Sequence, residues 1–205
     1  MSEEQVFIEN DKLTLEGLLS RAAGDAGMVI CHPHPLMGGS MHNNVVEAIQ
    51  KACVQEKYST LRFNFRGVGR SSGEYADGVG EQEDILAACK YLQNQGIAEI
   101  IFAGYSFGAW VGAKIVEKDA GPFAGVIFIS PPLKYFQFDF EKLNHKINII
   151  ICGEEDQFCD LGLLKKKTPY LGCNLKIISG ADHFYAGREN DLVNILQGSL
   201  DSLKK

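Results

Sequence analysis

The run Gly104-Tyr105-Ser106-Phe107-Gly108 fits the pattern G-x-S-x-G, in which a serine hydroxyl can act as a nucleophile. An apolar run over 100–103 precedes it, and a helical run begins at Ala109. A serine at a tight turn from strand to helix takes an unusual backbone conformation, and flanking glycines let the neighbouring elements approach. The unpaired N–H groups and the dipole of the helix would stabilise an oxyanion. The pattern therefore predicts Ser106 as a nucleophile, with an ordinary Gly-rich turn as the alternative interpretation.

A serine nucleophile needs a base, normally a histidine held by a carboxylate. His183 follows a predicted strand that ends near Ile178, so we expect it at the carboxyl edge of the sheet, where Ser106 must also lie. His145 precedes a strand and belongs to the opposite edge, while His42 falls at a helix start. His183 is therefore the predicted base, with a structural loop histidine as the alternative.

Carboxylates for the same edge follow the predicted strand that ends at Cys152. The run Gly153-Glu154-Glu155-Asp156 supplies three of them, and Asp160 lies further along the chain. Asp156 is the predicted acid, and Glu154, Glu155 and Asp160 are the alternatives. The three candidates then occur in the order nucleophile, acid, base, which is the order found with this type of serine turn.

The three candidate residues can meet only if parallel strands bring the loops that carry them to one edge of a sheet. Short β-rich runs alternate with amphipathic helical patterns, which predicts an α/β fold with a mostly parallel sheet and helices on both faces. The first two runs, separated by a polar turn, predict an antiparallel hairpin at one edge. Eight strands are predicted, over 5–8, 14–19, 28–31, 60–64, 100–104, 125–129, 147–152 and 174–178. Helices are predicted over 43–57 and 82–95, from 106 onward, and around 192–203.

Length and composition limit the class of protein. A chain of 205 residues suits a single domain over 1–205, and 45% hydrophobic with 22% charged residues is typical of globular proteins, which argues against disorder. A formal charge of −6 argues against nucleic acid and anionic lipid as partners. The sequence shows no apolar run of membrane-spanning length, and the first residues do not resemble a signal peptide. We therefore expect a cytoplasmic protein without a membrane or nucleic-acid partner.

Six cysteines are present at positions 31, 53, 89, 152, 159 and 173, and none forms a C-x-x-C pair. In a cytoplasmic chain they are expected to be reduced and mostly buried. The triple lysine over 165–167 is interpreted as a solvated helix face, with a polyanion site as the alternative. No pattern in the sequence specifies an oligomeric state.

The chain resembles the α/β-hydrolase superfamily over nearly its whole length, from Cys31-His32-Pro33-His34-Pro35 through Ser106 to Ala181-Asp182-His183-Phe184. Within it, the loops over 32–39 and 64–71 are similar to those of small, lidless bacterial hydrolases related to dienelactone hydrolase and to esterases. The resemblance favours Asp156, because the family acid commonly ends a Gly-x-x-Asp run. Dienelactone hydrolase has a cysteine where this chain has Ser106, so its substrate is not carried over.

The resemblance also implies two backbone N–H donors for an oxyanion. Phe107, the residue after the nucleophile, is expected to supply one. The loop after the first parallel strand would supply the other, and His34 occupies the usual register although a proline precedes it where glycine is common. Pro35 has no N–H, and Leu36 or Met37 would serve if the loop is displaced.

Two neighbouring patterns have other interpretations. His32 and His34 could bind a metal, but no third ligand lies at a useful spacing, so no metal site is predicted. The Gly-rich stretch over 64–73 is predicted to shape the wall of the pocket. Arg66 or Arg70 in this stretch is expected to pair with a nearby carboxylate, with contact to an acidic substrate group as the alternative.

The segment over 130–146, between two predicted strands, is too short for a helical cap, so we expect no cap domain. Its aromatic residues are predicted to line a shallow cleft, or alternatively to pack the segment onto the sheet: Tyr135, Phe136, Phe138 and Phe140.

Together these patterns predict a serine hydrolase that cleaves a small ester or thioester through an acyl-enzyme, with an ester-like small molecule as its partner and no cofactor. A peptidase, an amidase or an acyltransferase could use the same three residues. A binding module of the same fold that catalyses no reaction is the remaining alternative.

Overall fold

The computed structural model describes residues 2–119, 121–200 and 203. Eight strands are present: β1 Glu4–Asn10, β2 Leu13–Ser20, β3 Ala26–Cys31, β4 Ser59–Phe63, β5 Glu99–Tyr105, β6 Phe123–Ile129, β7 Ile149–Gly153 and β8 Asn174–Ile178. The α-helices in the described part are α1 Asn44–Gln55, α2 Gly80–Asn94, α3 Phe107–Val116, α4 Leu161–Leu171 and α5 Glu189–Leu200.

The strands form one sheet in the order β1-β2-β4-β3-β5-β6-β7-β8. β1 pairs with β2 and β2 with β4 in antiparallel fashion, and every later pairing is parallel. The predicted eight-stranded, mostly parallel sheet with an edge hairpin is therefore confirmed. The carboxyl ends of the parallel strands meet at one edge, which is where loops can bring distant residues together.

Helices cover both faces of the sheet, as predicted. Apolar residues of α1 and α5 pack together against one face, and those of α2, α3 and α4 pack against the other. The central strands are buried on both faces, so their sequences are nearly continuous apolar runs. In β7, for example, every residue is buried. The sheet is thus a rigid base for the loops at its edge.

Helix α4 is the helix for which the sequence pattern gave no bounds. It begins after Asp160, whose carboxylate accepts a hydrogen bond of 2.9 Å from the N–H of Leu163. Pro169 lies inside it and only three of its residues are buried, so the helical period is weak. The triple lysine lies on this helix, with Lys165 and Lys166 exposed, which agrees with a solvated helix face.

The predicted end of α5 falls partly on residues outside the described part of the chain. The described helix stops at Leu200, whereas the prediction ran to Leu203 through residues 201 and 202, which lie outside the described residues. Among the described residues, no helix is both long and apolar enough to cross a membrane.

The segment over 130–148, between β6 and β7, contains no helix or strand. The expected absence of a cap over this edge of the sheet is therefore confirmed. All six cysteines are free thiols, and five of them are buried. The five buried cysteines belong to the apolar clusters on the two faces of the sheet, in agreement with the expectation that most of the cysteines are buried.

Candidate active site

Ser106 stands at the turn between β5 and α3, with φ 53° and ψ −115°. A non-glycine residue with positive φ is strained, and in this conformation Ser106 lines the cavity with its Oγ 3.0 Å from Nε2 of His183. Both flanking glycines are required. A Cβ on Gly104 would lie 2.6 Å from the backbone nitrogen of Ala109, and one on Gly108 would lie 2.8 Å from the carbonyl oxygen of Cys31.

The structure brings all three predicted side chains together. Nε2 of His183 lies 3.0 Å from Oγ of Ser106, and Nδ1 of His183 lies 2.9 Å from both carboxylate oxygens of Asp156. The three residues follow β5, β7 and β8, whose carboxyl ends lie at the same edge. This is the arrangement in which a carboxylate orients an imidazole that can accept a proton from a serine.

The carboxylate of Asp156 is buried and well supplied with donors. Its Oδ1 accepts hydrogen bonds of 2.9 Å from the N–H of Phe158 and 3.0 Å from the N–H of Cys159. Burial raises the pKa of this carboxyl, but hydrogen bonds from His183, from Ser130 and from the Cys159 N–H outweigh burial, and the pKa lies below its usual value. Asp156 is therefore held as a carboxylate beside the imidazole.

Other residues that hold this arrangement were not predicted from the sequence. Ser130, at the end of β6, has φ 45°, and its Oγ lies 2.7 Å from the hydroxyl of Tyr185. Tyr185 is fully buried, and so the two hydroxyls form a linked pair beneath the carboxylate of Asp156. Phe158 is a further unpredicted residue, because its ring centroid lies 4.4 Å from that of His183.

The alternative carboxylates lie away from the histidine. Glu154 accepts hydrogen bonds from the hydroxyl of Ser179 and the N–H of Gly180. Glu155 is exposed, and Asp160 caps helix α4. None of them contacts His183 among the described residues, which leaves Asp156 as the partner of the imidazole.

The loop after β3 folds into a short 3₁₀ turn over Pro35–Met37. The N–H of Leu36 donates to Nδ1 of His34 over 3.2 Å, and the N–H of Met37 donates to the carbonyl of His34 over 3.0 Å. Both alternative donors are therefore used inside the turn. By contrast, the N–H groups of His34 and Phe107 have no hydrogen-bond partner within the described part of the chain.

The side chain of His34 faces the aromatic lining. Its Nε2 lies 3.3 Å from the hydroxyl of Tyr75, and its ring centroid lies 4.8 Å from that of Phe107. Burial lowers the pKa of His34, although Glu81 and Asp77 oppose this shift. Since Nδ1 accepts from Leu36, the neutral ring has its hydrogen on Nε2.

His32 has a different environment. Its Nε2 accepts a hydrogen bond of 3.0 Å from the N–H of Phe65, and its Nδ1 donates to the carbonyl of Pro33 over 2.6 Å. Complete burial lowers the pKa of His32 to about 4, so the ring is neutral and links the loops that follow β3 and β4. The two histidines thus bind separate partners, and the described residues include no group of three metal-binding side chains.

A cavity of about 430 Å³ opens in front of Ser106. Most of its lining is aromatic or apolar, and among the described residues no aspartate, glutamate, lysine or arginine side chain borders it. The lining residues are Pro33, His34, Met37, Gly38, Gly39, Asn43, Tyr105, Ser106, Phe107, Pro132, Tyr135, Phe136, Phe158, His183 and Phe184.

The Gly-rich loop over 64–73 does not border this cavity, which corrects the prediction that it shapes the pocket wall. Arg66 binds Asp84 at 2.8 Å, as expected for a carboxylate partner. Arg70 instead donates to the side-chain oxygen of Gln5 and lies over the ring of Phe7. Both arginines are used within the fold.

The aromatic residues after β6 divide into two groups. Tyr135 and Phe136 line the cavity, as predicted. Phe138 packs against Phe128 of β6, Phe140 lies under Lys167 of α4, and both rings pack against the apolar core on this side of the sheet. Each of the two interpretations therefore holds for half of the group.

Comparisons with known proteins agree with this architecture. A family model described as serine aminopeptidase, S33, matches residues 25–151. A serine hydrolase homologue from Coxiella burnetii is 34% identical, with 98% of both chains covered and a TM-score of 0.87. A lidless serine hydrolase from Xanthomonas campestris is 25% identical, with 98% of this chain and 95% of that chain covered and a TM-score of 0.85. An uncharacterised protein from Rickettsia prowazekii is 32% identical over 195 residues, which cover 88% of this chain and 82% of its own.

The range that matches the family model includes the serine turn and the loop of His34, but it ends before Asp156 and His183. The family model therefore does not cover the acid and the base, whose assignment rests on the sequence pattern and on the geometry of the site.

Proposed function

The chain belongs to the serine aminopeptidase S33 family of α/β-hydrolases, and we propose that it is a serine hydrolase that cleaves small carboxylic esters or thioesters. One observation supports this proposal above the others. The hydroxyl of Ser106, on a strained turn, lies 3.0 Å from Nε2 of His183, whose other nitrogen is held by Asp156. A binding module of the same fold would have no need for this arrangement.

In the proposed mechanism, Oγ of Ser106 forms a bond to the carbonyl carbon and its proton passes to Nε2 of His183. The tetrahedral intermediate collapses as the bond from carbon to the leaving oxygen or sulfur breaks, and His183 returns the proton to that atom. Water then attacks the acyl-enzyme, losing its proton to His183, which passes it back to Ser106 as the acid is released. Asp156 orients the imidazole and stabilises its charged form.

We propose that the N–H groups of Phe107 and His34 stabilise the oxyanion of the intermediate. Phe107 is the first residue of α3, where N–H groups lack partners within the helix and the helix dipole is positive. His34 is supported by the use of the Leu36 and Met37 N–H groups inside the 3₁₀ turn. Donors fixed in advance stabilise the transition state more than the ground state.

The composition of the cavity favours esters over the substrates of an aminopeptidase. An aminopeptidase must bind the charged amino terminus of its substrate, and a buried ammonium group needs a carboxylate partner. None of the described residues that line the cavity is acidic. The aromatic and apolar lining suits a neutral acyl compound of small size instead.

A fluorophosphonate probe tests the nucleophile, and intact-mass spectrometry should show one adduct that maps to Ser106. The adduct should be absent from Ser106→Ala, which should also lose hydrolysis of p-nitrophenyl acetate. A binding module would stay unlabelled, whereas an adduct on a cysteine would contradict the assignment of Ser106. Comparing p-nitrophenyl acetate with an aminoacyl p-nitroanilide separates an esterase from an aminopeptidase, and faster cleavage of the anilide would refute our choice.

A further inference from the structure

Aromatic rings around the cavity form two separate sets. The first, which we call the loop set, consists of His34, Phe107 and Phe136, with ring centroids 4.8 Å apart between His34 and Phe107 and 6.1 Å apart between Phe107 and Phe136. It lies beside the N–H groups proposed to bind the oxyanion. This set therefore borders the part of the cavity that receives the carbonyl oxygen.

The second set, which we call the histidine set, consists of Tyr135, Phe158 and Phe184 around the ring of His183. Phe158 lies 4.4 Å from His183 and 5.4 Å from Tyr135 between centroids, and Phe184 lies 5.6 Å from His183 at an interplanar angle of 89°. The imidazole thus has one phenyl ring tilted against it and another at its edge. Phe184 and Tyr135 are exposed at the mouth of the cavity.

Both sets line one cavity, yet no ring contact joins them among the described residues. Ser106 adjoins both sets, since its Oγ lies 3.0 Å from Nε2 of His183 and the residue bonded to it, Phe107, belongs to the loop set. A substrate carbonyl at Ser106 would therefore have different rings on its two sides.

The proton transfers decide which part of a substrate meets the histidine set. In the proposed function, His183 gives a proton to the leaving oxygen or sulfur, so the leaving group must lie next to the imidazole. Three rings that line the cavity contact the imidazole, those of Tyr105, Phe158 and Phe184. Tyr105 is buried, so Phe158 and Phe184 are the two of them that are open to a bound group. Planar groups that pack on such rings gain specific aromatic contacts beyond the burial of apolar area.

We propose that the histidine set binds a planar, neutral aromatic group in the alcohol or thiol portion of the substrate, so that aryl and arylmethyl esters or thioesters are the preferred class. This inference rests on the proposed function for the identity of the leaving group. The absence of charged side chains from the described lining requires that the aromatic group be neutral, because a charged one would lose its hydration without gaining a partner.

Benzyl acetate and cyclohexylmethyl acetate provide a sharp test, because both release a primary alcohol of similar size and only one carries a planar ring. We expect kcat/KM to be about two-fold to ten-fold higher for the benzyl ester. Simple burial of apolar area would favour the cyclohexyl compound, which has more hydrogens to remove from water. A ratio of one or less in the natural protein would overturn the inference.

Variants locate the effect. Phe158→Leu and Phe184→Leu should each lower the benzyl to cyclohexylmethyl ratio towards one, and Phe184→Leu alters an exposed side chain, so folding should be preserved. Phe138→Leu and Phe7→Leu are matched controls, since the first ring is similarly half-buried and the second is similarly exposed, yet both lie outside the cavity. An equal loss of the ratio in these controls would overturn the inference.

Binding of the product alcohols separates this inference from the proposed function. Benzyl alcohol should bind Ser106→Ala more tightly than cyclohexylmethanol does, and it should shift the NMR signals of the His183 ring. If the Ser106 hydroxyl takes no probe and p-nitrophenyl acetate is not cleaved, the proposed function fails. If esters are cleaved but either kcat/KM or binding fails to favour the planar compound, only the inference on the aromatic group fails.

Discussion

The hydroxyl of Tyr105 donates a hydrogen bond of 2.8 Å to the backbone carbonyl of His183, two residues that are 78 positions apart in the chain. Tyr105 immediately precedes Ser106, so the same strand end holds both the proposed nucleophile and the backbone of the proposed base. Burial raises the pKa of Tyr105, which keeps its hydroxyl protonated as a donor. The contact fixes the loop after β8 to the end of β5.

Removing this hydroxyl by Tyr105→Phe should therefore displace the base. We expect kcat to fall by about ten-fold to a hundred-fold with little change in KM, because the lost contact orients a catalytic group. The buried carbonyl would also lose its donor, at a cost of about 1–3 kcal/mol in the free energy of unfolding. Steady-state kinetics and urea unfolding measure the two effects. Tyr170→Phe, at an exposed tyrosine, is the control, and an unchanged kcat in Tyr105→Phe would contradict the positioning role.

The carboxylates of Asp156 and Asp160 should give opposite results. Asp156→Asn leaves the shape of the site but cannot hold the imidazole in the required form, so kcat should fall by about 10⁴-fold. Asp160→Asn should retain activity, since this residue caps α4, and at most it should lower stability by about 1 kcal/mol. If Asp156→Asn left kcat nearly unchanged and Asp160→Asn abolished activity, Asp156 would not be the acid, although the description of the fold would stand. Kinetics and thermal unfolding of both variants decide between these outcomes.

Local steric requirements explain why the serine turn could be predicted. Gly104 and Gly108 have no room for a Cβ, because backbone atoms of Ala109 and Cys31 lie too close to them. Only glycine fits such positions, so the requirement is visible in the sequence as the pattern G-x-S-x-G. The rule that parallel strands share a carboxyl edge then placed His183 and Asp156 near Ser106. The geometry agrees with these positions, while their roles in a reaction remain predictions.

Contacts between distant side chains could not be predicted in this way. The loop over 64–73 turns away from the cavity because Glu16 on β2 binds the side chain of Asn64 and the N–H of Arg70, each at 2.9 Å. No local pattern reveals that a buried carboxylate on another strand holds this loop. The same reason applies to Ser130 and Tyr185, whose hydroxyls meet only after the three strands β6, β7 and β8 have been paired.

Stability should depend on pH through His32. Its pKa is lowered to about 4 in the folded chain, whereas a histidine in an unfolded chain titrates near 6.5. As the pH falls through this interval the unfolded state takes up a proton first, so the folded state loses up to about 3 kcal/mol of stability by pH 4. Above about pH 7 the contribution is constant, because the ring is neutral in both states.

Urea unfolding at several pH values between 4.5 and 7.5 measures this effect. In His32→Gln the free energy of unfolding should fall less steeply with falling pH, because the unfolded state takes up about one proton fewer. The variant also loses the hydrogen bond from the N–H of Phe65, which lowers the free energy of unfolding by the same amount at every pH. His42→Gln, at an exposed histidine, should keep the full pH dependence. Identical slopes in the natural protein and His32→Gln would show that burial of this ring does not control acid stability.

Chain-length selectivity should follow from the open edge of the sheet. The segment over 130–148 forms no cap, and the cavity in front of Ser106 holds about 430 Å³, near the lower end of the usual range for small-molecule sites.

An acyl chain of more than a few carbons would therefore extend into solvent. Each buried CH₂ group can contribute about 0.8 kcal/mol, but catalysis gains only from contacts that the transition state makes with the protein. We expect p-nitrophenyl esters of about two to six carbons to give higher kcat/KM than those of twelve or more, without activation when the substrate aggregates. A series measured below and above the aggregation concentration tests this, with the leaving group kept constant so that the histidine set is occupied alike throughout. A steady rise of kcat/KM up to twelve carbons would mean that the acyl chain contacts a protein surface beyond the cavity. A jump in rate when the substrate aggregates would mean that the exposed rings at the mouth of the cavity bind the surface of the aggregate. Either result would contradict an open cleft without a cap.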